Sequence, residues 1–361
     1  MTVRKLKIKP DPDFGRLEKV LKRQAVPDRV PFFELLSNLE AEVLEAIGKG
    51  QGDTKKQCGT GRSGLQALEQ QIDYMFYLGY DYISLSPENF EFPRKEAPKA
   101  VTDHGEREYF PAAFHTISDR RDFENYPWPD ASQIDYSLFE KAAEILPEGM
   151  KVIAGYSGVL ENVMWLLGFE GTSFLLYEDE PLLGDMFDAV AAPIVEYFDS
   201  AGSLEVVGAL LLGDDMGFKT QTMLSPEIFR KYLFPWHKKL VETAHRHGKP
   251  IILHSCGNLS AVMEDIIDCG WDAKHSFEDV IEPVWVAGQR YGDRIAVLGG
   301  FDIDQICRMS EEEVRVHTRF LIENCAPGGG WALGTGNSVA DYVPVNNFLA
   351  MLEEGYRVGF Y

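Results

Sequence analysis

The sequence predicts an α/β protein built as a single (β/α)8 TIM barrel, and three observations carry that expectation. Eight short apolar runs recur along the chain, each ending in polar residues or glycine. The segments between them carry helix start and stop signals. No linker, repeat shorter than a βα unit or low-complexity tract divides the 361 residues, a length that one such barrel can use as a single domain, 1–361.

The runs are Arg29–Leu35, Tyr80–Ser86, Lys151–Ser157, Val206–Asp215, Pro250–Cys256, Trp271–Phe277, Arg294–Asp302 and Gly330–Asn337. Nearly continuous apolar strands separated by helices indicate a parallel sheet covered on both faces. Residues 1–27 read as an N-terminal helical extension, and the Pro-rich, charged stretch Pro87–Pro129 as a long excursion after the second strand. Ser225-Pro226-Glu227 opens a helix that runs to Gly248, and Pro235 inside it predicts a kink or break. Ser310 and Glu313 form a capping box ahead of another helix.

Composition narrows the function. A formal charge of −22 argues against a nucleic-acid partner, which needs a basic face. No apolar run approaches a membrane span, and "MTVRKLKIKPDPDF" has no signal-peptide h-region. Cys58, Cys256, Cys269, Cys307 and Cys325 are odd in number and scattered, which does not read as a disulfide framework. A soluble cytoplasmic enzyme is the expectation.

In a TIM barrel the C-terminal strand ends build the active site. Those ends here carry Glu34, Glu88, Tyr156, Asp214, Asp215, His254, Cys256, Glu278, Asp302 and Thr335 to Asn337. Convergence from most of the strands is what makes them a candidate site. Within it, "PIILHSCGN" ends a buried-looking strand in His254 and Cys256, two apart and so on one face of an extended chain. Imidazole and thiolate are typical zinc ligands, and a catalytic zinc takes three protein ligands. Glu278, just past the next strand end, is the expected third ligand; Asp214 and Asp215 from the preceding strand are the competing carboxylates. His275 reads as a supporting or core residue. Such a zinc either acidifies water or activates a nucleophile or donor for group transfer, and spacing alone leaves both open.

These residues sit in stretches that look familiar. "VPDRVPFFEL", "MWLLGFEGTSFLLYEDEPLL", "GDDMGFKTQTMLSPEIFRKYLFPWHKKLV", "ILHSCGNL", "YGDRIAVLGGFDI" and "GNSVADYVPVNNFLAML" resemble the uroporphyrinogen decarboxylase superfamily, from about Phe14 to the C-terminus. Within it the chain resembles the corrinoid-dependent methyltransferase branch. The decarboxylases' arginine-rich "RQAGR" signature is replaced by "FFELLSNLEAEV", their aspartate after strand two by Glu88, and their last-strand histidine falls near Thr335 or Asn337. A polycarboxylate substrate would then lack its cationic partners. The methyltransferase branch binds zinc through H-x-C and a later cysteine. His254 and Cys256 match the first part, and "GTGNSV" lacks the second. Cobalamin-independent methionine synthases place a glutamate at the spacing of Glu278.

The resemblance implies a zinc enzyme that takes a methyl group from a small methylated donor, such as a phenyl methyl ether or methanol, to Co(I) of a partner corrinoid protein. Glu34, Tyr156, Asp214, Asp215 and Asn337 would line the donor pocket, with Phe33, Trp165 and Phe277 as stacking surfaces. A second reading is a metal-free lyase acting on a carboxylated substrate through Glu88, Tyr156 and Asp302. A third is a binding protein on a decayed barrel. The aromatic tail "YRVGFY" is expected to pack on the barrel or on a second copy in a homodimer.

Overall fold

Seven of the eight runs become strands of one parallel sheet in the computed structural model, which describes residues 6–35, 43, 64–95, 99–102, 105–108 and 115–361. They are β1 (Tyr82–Leu85), β4 (Lys151–Ser157), β5 (Val207–Gly213), β6 (Ile251–His254), β7 (Ala273–His275), β8 (Ala296–Leu298) and β9 (Trp331–Ala332), neighbours in that order. Between β1 and β4 the excursion carries an antiparallel pair, β2 (Lys99–Thr102) and β3 (Gly105–Glu108). Cys58 and the chain from Leu36 to Glu42 that stands in place of the decarboxylase signature lie outside the described residues.

The first run, Arg29–Leu35, is extended but is not a strand. It makes isolated bridges, Phe32 parallel to Leu333 and Arg29 antiparallel to Phe360. Pro31 has no N–H to give a ladder, so only its carbonyl takes part, accepting from Leu333 N at 2.9 Å while Phe33 N donates to Leu333 O at 2.8 Å. On its other side a side chain does the work of the backbone. The Tyr82 hydroxyl accepts from Glu34 N at 2.7 Å and donates to Glu34 O at 2.8 Å. The segment is thus held between Leu333, just past β9, and the Tyr82 side chain of β1, at the two edges of the sheet.

Helices cover the sheet: α1 (Phe14–Lys22), α2 (Gly64–Leu78), α3 (Val159–Glu178), α4 (Glu180–Ser203), α5 (Phe234–Arg246), α6 (Glu311–Cys325) and α7 (Val345–Val358). Pro235 breaks the predicted helix. A short turn at Pro226–Ile228 leads into a π-helical stretch, Phe229–Leu233, and α5 restarts with the proline in its first turn, where a missing N–H costs nothing. The Ser310–Glu313 capping box opens α6 with both of its bonds made. Strand residues such as Ile153, Leu210, Leu212, Ile252 and Ala296 are fully buried, so the core fills both sides of the sheet. No helix among the described residues is long and apolar enough to cross a membrane.

Candidate metal centre

β6 and β7 pair in parallel with His254 opposite His275, so the two imidazoles stand side by side at the C-terminal end of the sheet. Their rings lie 5.0 Å apart, and Nδ1 of one is 2.8 Å from Nδ1 of the other. His254 therefore turns Nε2 outward. Cys256 Sγ lies 3.4 Å from that nitrogen and Asp215 Oδ1 3.7 Å from it. The backbone holds the trio: Asp214 N donates to His254 O at 2.8 Å, and Cys256 N donates to Asp215 Oδ1 at 2.7 Å. The chain then turns away at Gly257, whose φ of +86° suits glycine and where a Cβ would come within 2.2 Å of the Gly217 carbonyl.

The ligand atoms of Asp215, His254 and Cys256 all lie within 4.8 Å of one another. A tetrahedral zinc with bonds of about 2.0–2.3 Å separates its ligand atoms by roughly 3.3–3.8 Å. The observed 3.4 and 3.7 Å match that spacing. The donor set of one imidazole, one thiol and one carboxylate also suits zinc and leaves a fourth position open. Burial, more than the nearby Lys274 charge, holds the His254 imidazole down at about 3, so it is neutral and ready to ligate. Burial, assisted by the Asp215 charge, pushes the Cys256 thiol up to about 12. The Asn337 amide donates to Cys256 Sγ at 3.2 Å.

A family model described as Uroporphyrinogen decarboxylase (URO-D) matches residues 102–357, which include every one of these side chains. The chain belongs to that family. Among its relatives, a uroporphyrinogen decarboxylase of Thioalkalivibrio sulfidiphilus is 25% identical over 192 residues, 51% of each chain. The methylcobamide:CoM methyltransferase MtaA of Methanosarcina barkeri is 24% identical over 131 residues, 36% of each chain. The same-named enzyme of the Fusaro strain is 21% identical over 56% of each chain. The chain thus spans about half the length of the curated relatives it matches. A solved methyltransferase from Methanosarcina mazei superposes with a TM-score of 0.70 at 16% identity, covering 94% of this chain and 97% of that one, which supports the TIM-like fold.

Of the expected site residues in this URO-D family chain, His254, Cys256, Asp215 and Asn337 come together. Asp214, next to Asp215, faces the other way. It is fully buried and accepts from Val159 N, Leu160 N and Glu161 N at 3.1, 3.2 and 3.0 Å, capping α3, and its carboxylate is 2.8 Å from His237 Nε2. Glu278, expected as third ligand, does not join the converging atoms. It lies three residues past β7 in a turn whose carbonyl accepts from Ile281 and Glu282, and its side chain lines two clefts beside the centre.

The Tyr156 hydroxyl is engaged by the Phe90 carbonyl at 2.8 Å, inside a cluster with Phe90 and Tyr197. Glu34 is buried behind the centre against Thr335. Phe33 packs on Tyr82 and His275 in the core, Trp165 lies under Arg94, and Phe277 lies under Lys274. The residues of the lyase reading have contacts of their own. Glu88 is exposed and bridged to Asp135, while Asp302 caps the helix after β8 through Asp304 N and Gln305 N.

One residue escaped the sequence reading. Lys274, 3% exposed, donates to the Ser255 and Ser276 carbonyls at 3.2 and 2.7 Å, and burial lowers its ammonium to about 8. It lines a cleft with Gly257, Asn258 and Glu278. A lysine inside "WDAKHSF", flanked by residues of a buried strand, was the available signal. Asn337 lines a second cleft with Lys219, Asp302 and Tyr342, which brings open space up to a residue that touches Cys256.

Proposed function

We propose that the chain is a zinc-dependent methyltransferase that moves a methyl group from a small methylated donor, an O-methyl aromatic, methanol or similar, to Co(I) of a corrinoid protein. A barrel closed by the extended Arg29–Leu35 segment, rather than by a regular eighth strand, belongs to the same reading. The observation that carries it is the convergence of Asp215, His254 and Cys256, whose ligand atoms all lie within 4.8 Å of one another. The methyltransferases among the relatives support it.

His254, Cys256 and Asp215 would hold the metal. Zinc supplies a Lewis acid for the donor's heteroatom, easing loss of the methyl group as the oxygen leaves. The protein's own share is position and charge. The Asn337 amide, 3.2 Å from Cys256 Sγ, spreads the charge of the thiolate. Asp215 would stand in for the sulfur that a second cysteine would give, so the centre carries a harder ligand set, suited to an oxygen-bearing donor. The cleft at Asn337 gives the donor room to enter. The corrinoid brings the methyl-accepting chemistry, and the chain orients the donor toward it.

The test is methyl transfer. Methoxylated aromatics and methanol are offered with Co(I) cobalamin as acceptor, and methylcobalamin formation is followed by its absorbance. The unmodified protein should transfer, and Cys256→Ser should lose transfer while keeping its melting temperature. Unchanged transfer by Cys256→Ser would remove the reading.

A further inference from the structure

Behind the centre, His254 is joined to the far side of the barrel by three contacts in series. His254 Nδ1 lies 2.8 Å from His275 Nδ1, and His275 Nε2 lies 3.0 Å from the Thr335 carbonyl. Thr335 Oγ1 lies 2.5 Å from Glu34 Oε1 and also contacts the Asn337 carbonyl, while Thr335 N donates to Glu34 Oε2 at 3.2 Å. His275 and Thr335 are wholly buried and Glu34 is 4% exposed, so these bonds lie out of reach of bulk solvent.

The protons in this chain can be counted. A carbonyl only accepts, so His275 Nε2 carries a proton. Among the described residues no anion contacts His275: its partners are His254, the Thr335 carbonyl and the Phe33 ring. A buried imidazolium without a counter-charge is costly, so His275 is neutral and its Nδ1 is bare. The short Nδ1–Nδ1 contact then needs a proton from His254. That leaves His254 Nε2, the nitrogen facing Cys256 and Asp215, with a free lone pair.

At the other end Thr335 Oγ1 has one proton and two acceptors in reach, Glu34 Oε1 and the Asn337 carbonyl. Both bonds exist together only if the hydroxyl donates to the carbonyl and Glu34 donates to the hydroxyl.

We propose that Thr335 anchors a directional hydrogen-bond chain in which His275 is the positioning residue that fixes the ligating tautomer of His254, and Glu34 is a neutral carboxylic acid that locks Thr335 and the Asn337 loop in place. Glu34 is then neither a base nor a ligand. Burial acts in the same sense, raising its carboxyl to about 8 against the bonds from Thr335. The effect on metal affinity rests on the zinc reading above, and the tautomer does not.

The experiment therefore has two readouts. Nitrogen chemical shifts of histidine in the metal-free protein, labelled with 15N-histidine and assigned with His254→Ala, report which nitrogen of His254 bears the proton. Competitive zinc titration against a chromophoric chelator reports affinity. The unmodified protein should show His254 protonated at Nδ1. His275→Phe, which keeps a ring but removes the acceptor, should mix the tautomers and weaken zinc binding about 10- to 100-fold.

His275→Gln, which retains a donor and an acceptor, should restore affinity to within a few-fold. Glu34→Gln mimics the neutral acid, its amide donating to Thr335 Oγ1 and its oxygen accepting from Thr335 N, and should bind zinc as the unmodified protein does. A proton on Nε2 of His254 in the unmodified protein overturns the proposal, as does full zinc affinity in a folded His275→Phe. Loss of zinc in a folded Glu34→Gln overturns the role given to Glu34. A protein with the Nδ1 proton in place but no zinc at all overturns the zinc reading and supports the chain.

Discussion

Asp214 and Asp215 are consecutive carboxylates with opposite tasks, and exchanging either for alanine separates them. Asp214→Ala removes the acceptor of three N–H groups at the start of α3 and the partner of His237, all buried. Losing a helix cap costs about 1–2 kcal/mol. Orphaning further buried donors costs about 1–3 kcal/mol more. The expected destabilisation is about 4 kcal/mol. A chain of 361 residues has an unfolding entropy of roughly 0.8 kcal/mol/K at about 2.1 cal/mol/K per residue.

The melting temperature of Asp214→Ala should therefore fall by about 5 °C. Asp215→Ala removes a half-buried side chain that supports one backbone N–H, so its zinc-free form should melt within about 1–2 °C of the unmodified protein. Zinc content should show the reverse order, retained in folded Asp214→Ala and lost in Asp215→Ala. Scanning calorimetry of the zinc-free proteins with elemental analysis of the loaded ones reads both. An Asp214→Ala that melts normally but loses zinc, beside an Asp215→Ala that keeps it, would refute this division of labour.

Three further outcomes follow from the same geometry. Gly158→Ala would put a Cβ 2.1 Å from Asp214 Cγ and displace the cap, so it should lower the melting temperature as Asp214→Ala does. Zinc binding should release close to one proton per metal near pH 7. The Cys256 thiol lies at about 12 and must lose its proton, while His254 is already neutral. Apparent affinity should then rise about tenfold per pH unit from pH 6 to 8, and calorimetry in buffers of different ionisation enthalpy counts the proton; zero or two protons would contradict the ligand set.

Far from the site, burial alone would raise the Glu354 carboxyl, but Arg357 and Arg319 overcome it and hold it at about 2, below the ordinary 4.5. A lowered folded value adds stability above pH 4.5, and that stability is lost as pH falls from 4.5 through about 2. It amounts to about 2–3 kcal/mol, so Glu354→Gln should be less stable at pH 7, with the gap closing as pH approaches 2.

Much of this was legible because it rests on local chemistry. Proline at 235, the Ser310–Glu313 box and seven apolar runs are signals that neighbouring residues cannot easily override. The first run failed as a strand because Pro31 gives no N–H and because a distant hydroxyl, that of Tyr82, takes the Glu34 backbone. His254 and Cys256 could be paired from their spacing. The third ligand could not. β5 ends at Gly213, so alternation no longer says which of Asp214 and Asp215 faces the centre, and the answer depends on where the N-terminus of α3 docks. Glu278 has the right distance along the chain, but the turn after β7 carries its side chain elsewhere. Tyr156 looked like a polar strand end until Phe90, from the excursion, took its hydroxyl.

The central claim is that Asp215, His254 and Cys256 form a metal centre. It is tested most directly by elemental analysis of the protein purified without chelator, alongside His254→Ala, Cys256→Ser and Asp215→Ala. About one zinc per chain is expected in the unmodified protein and none in the three variants, with their folds intact. No zinc in the unmodified protein, even after its addition at neutral pH, would contradict it.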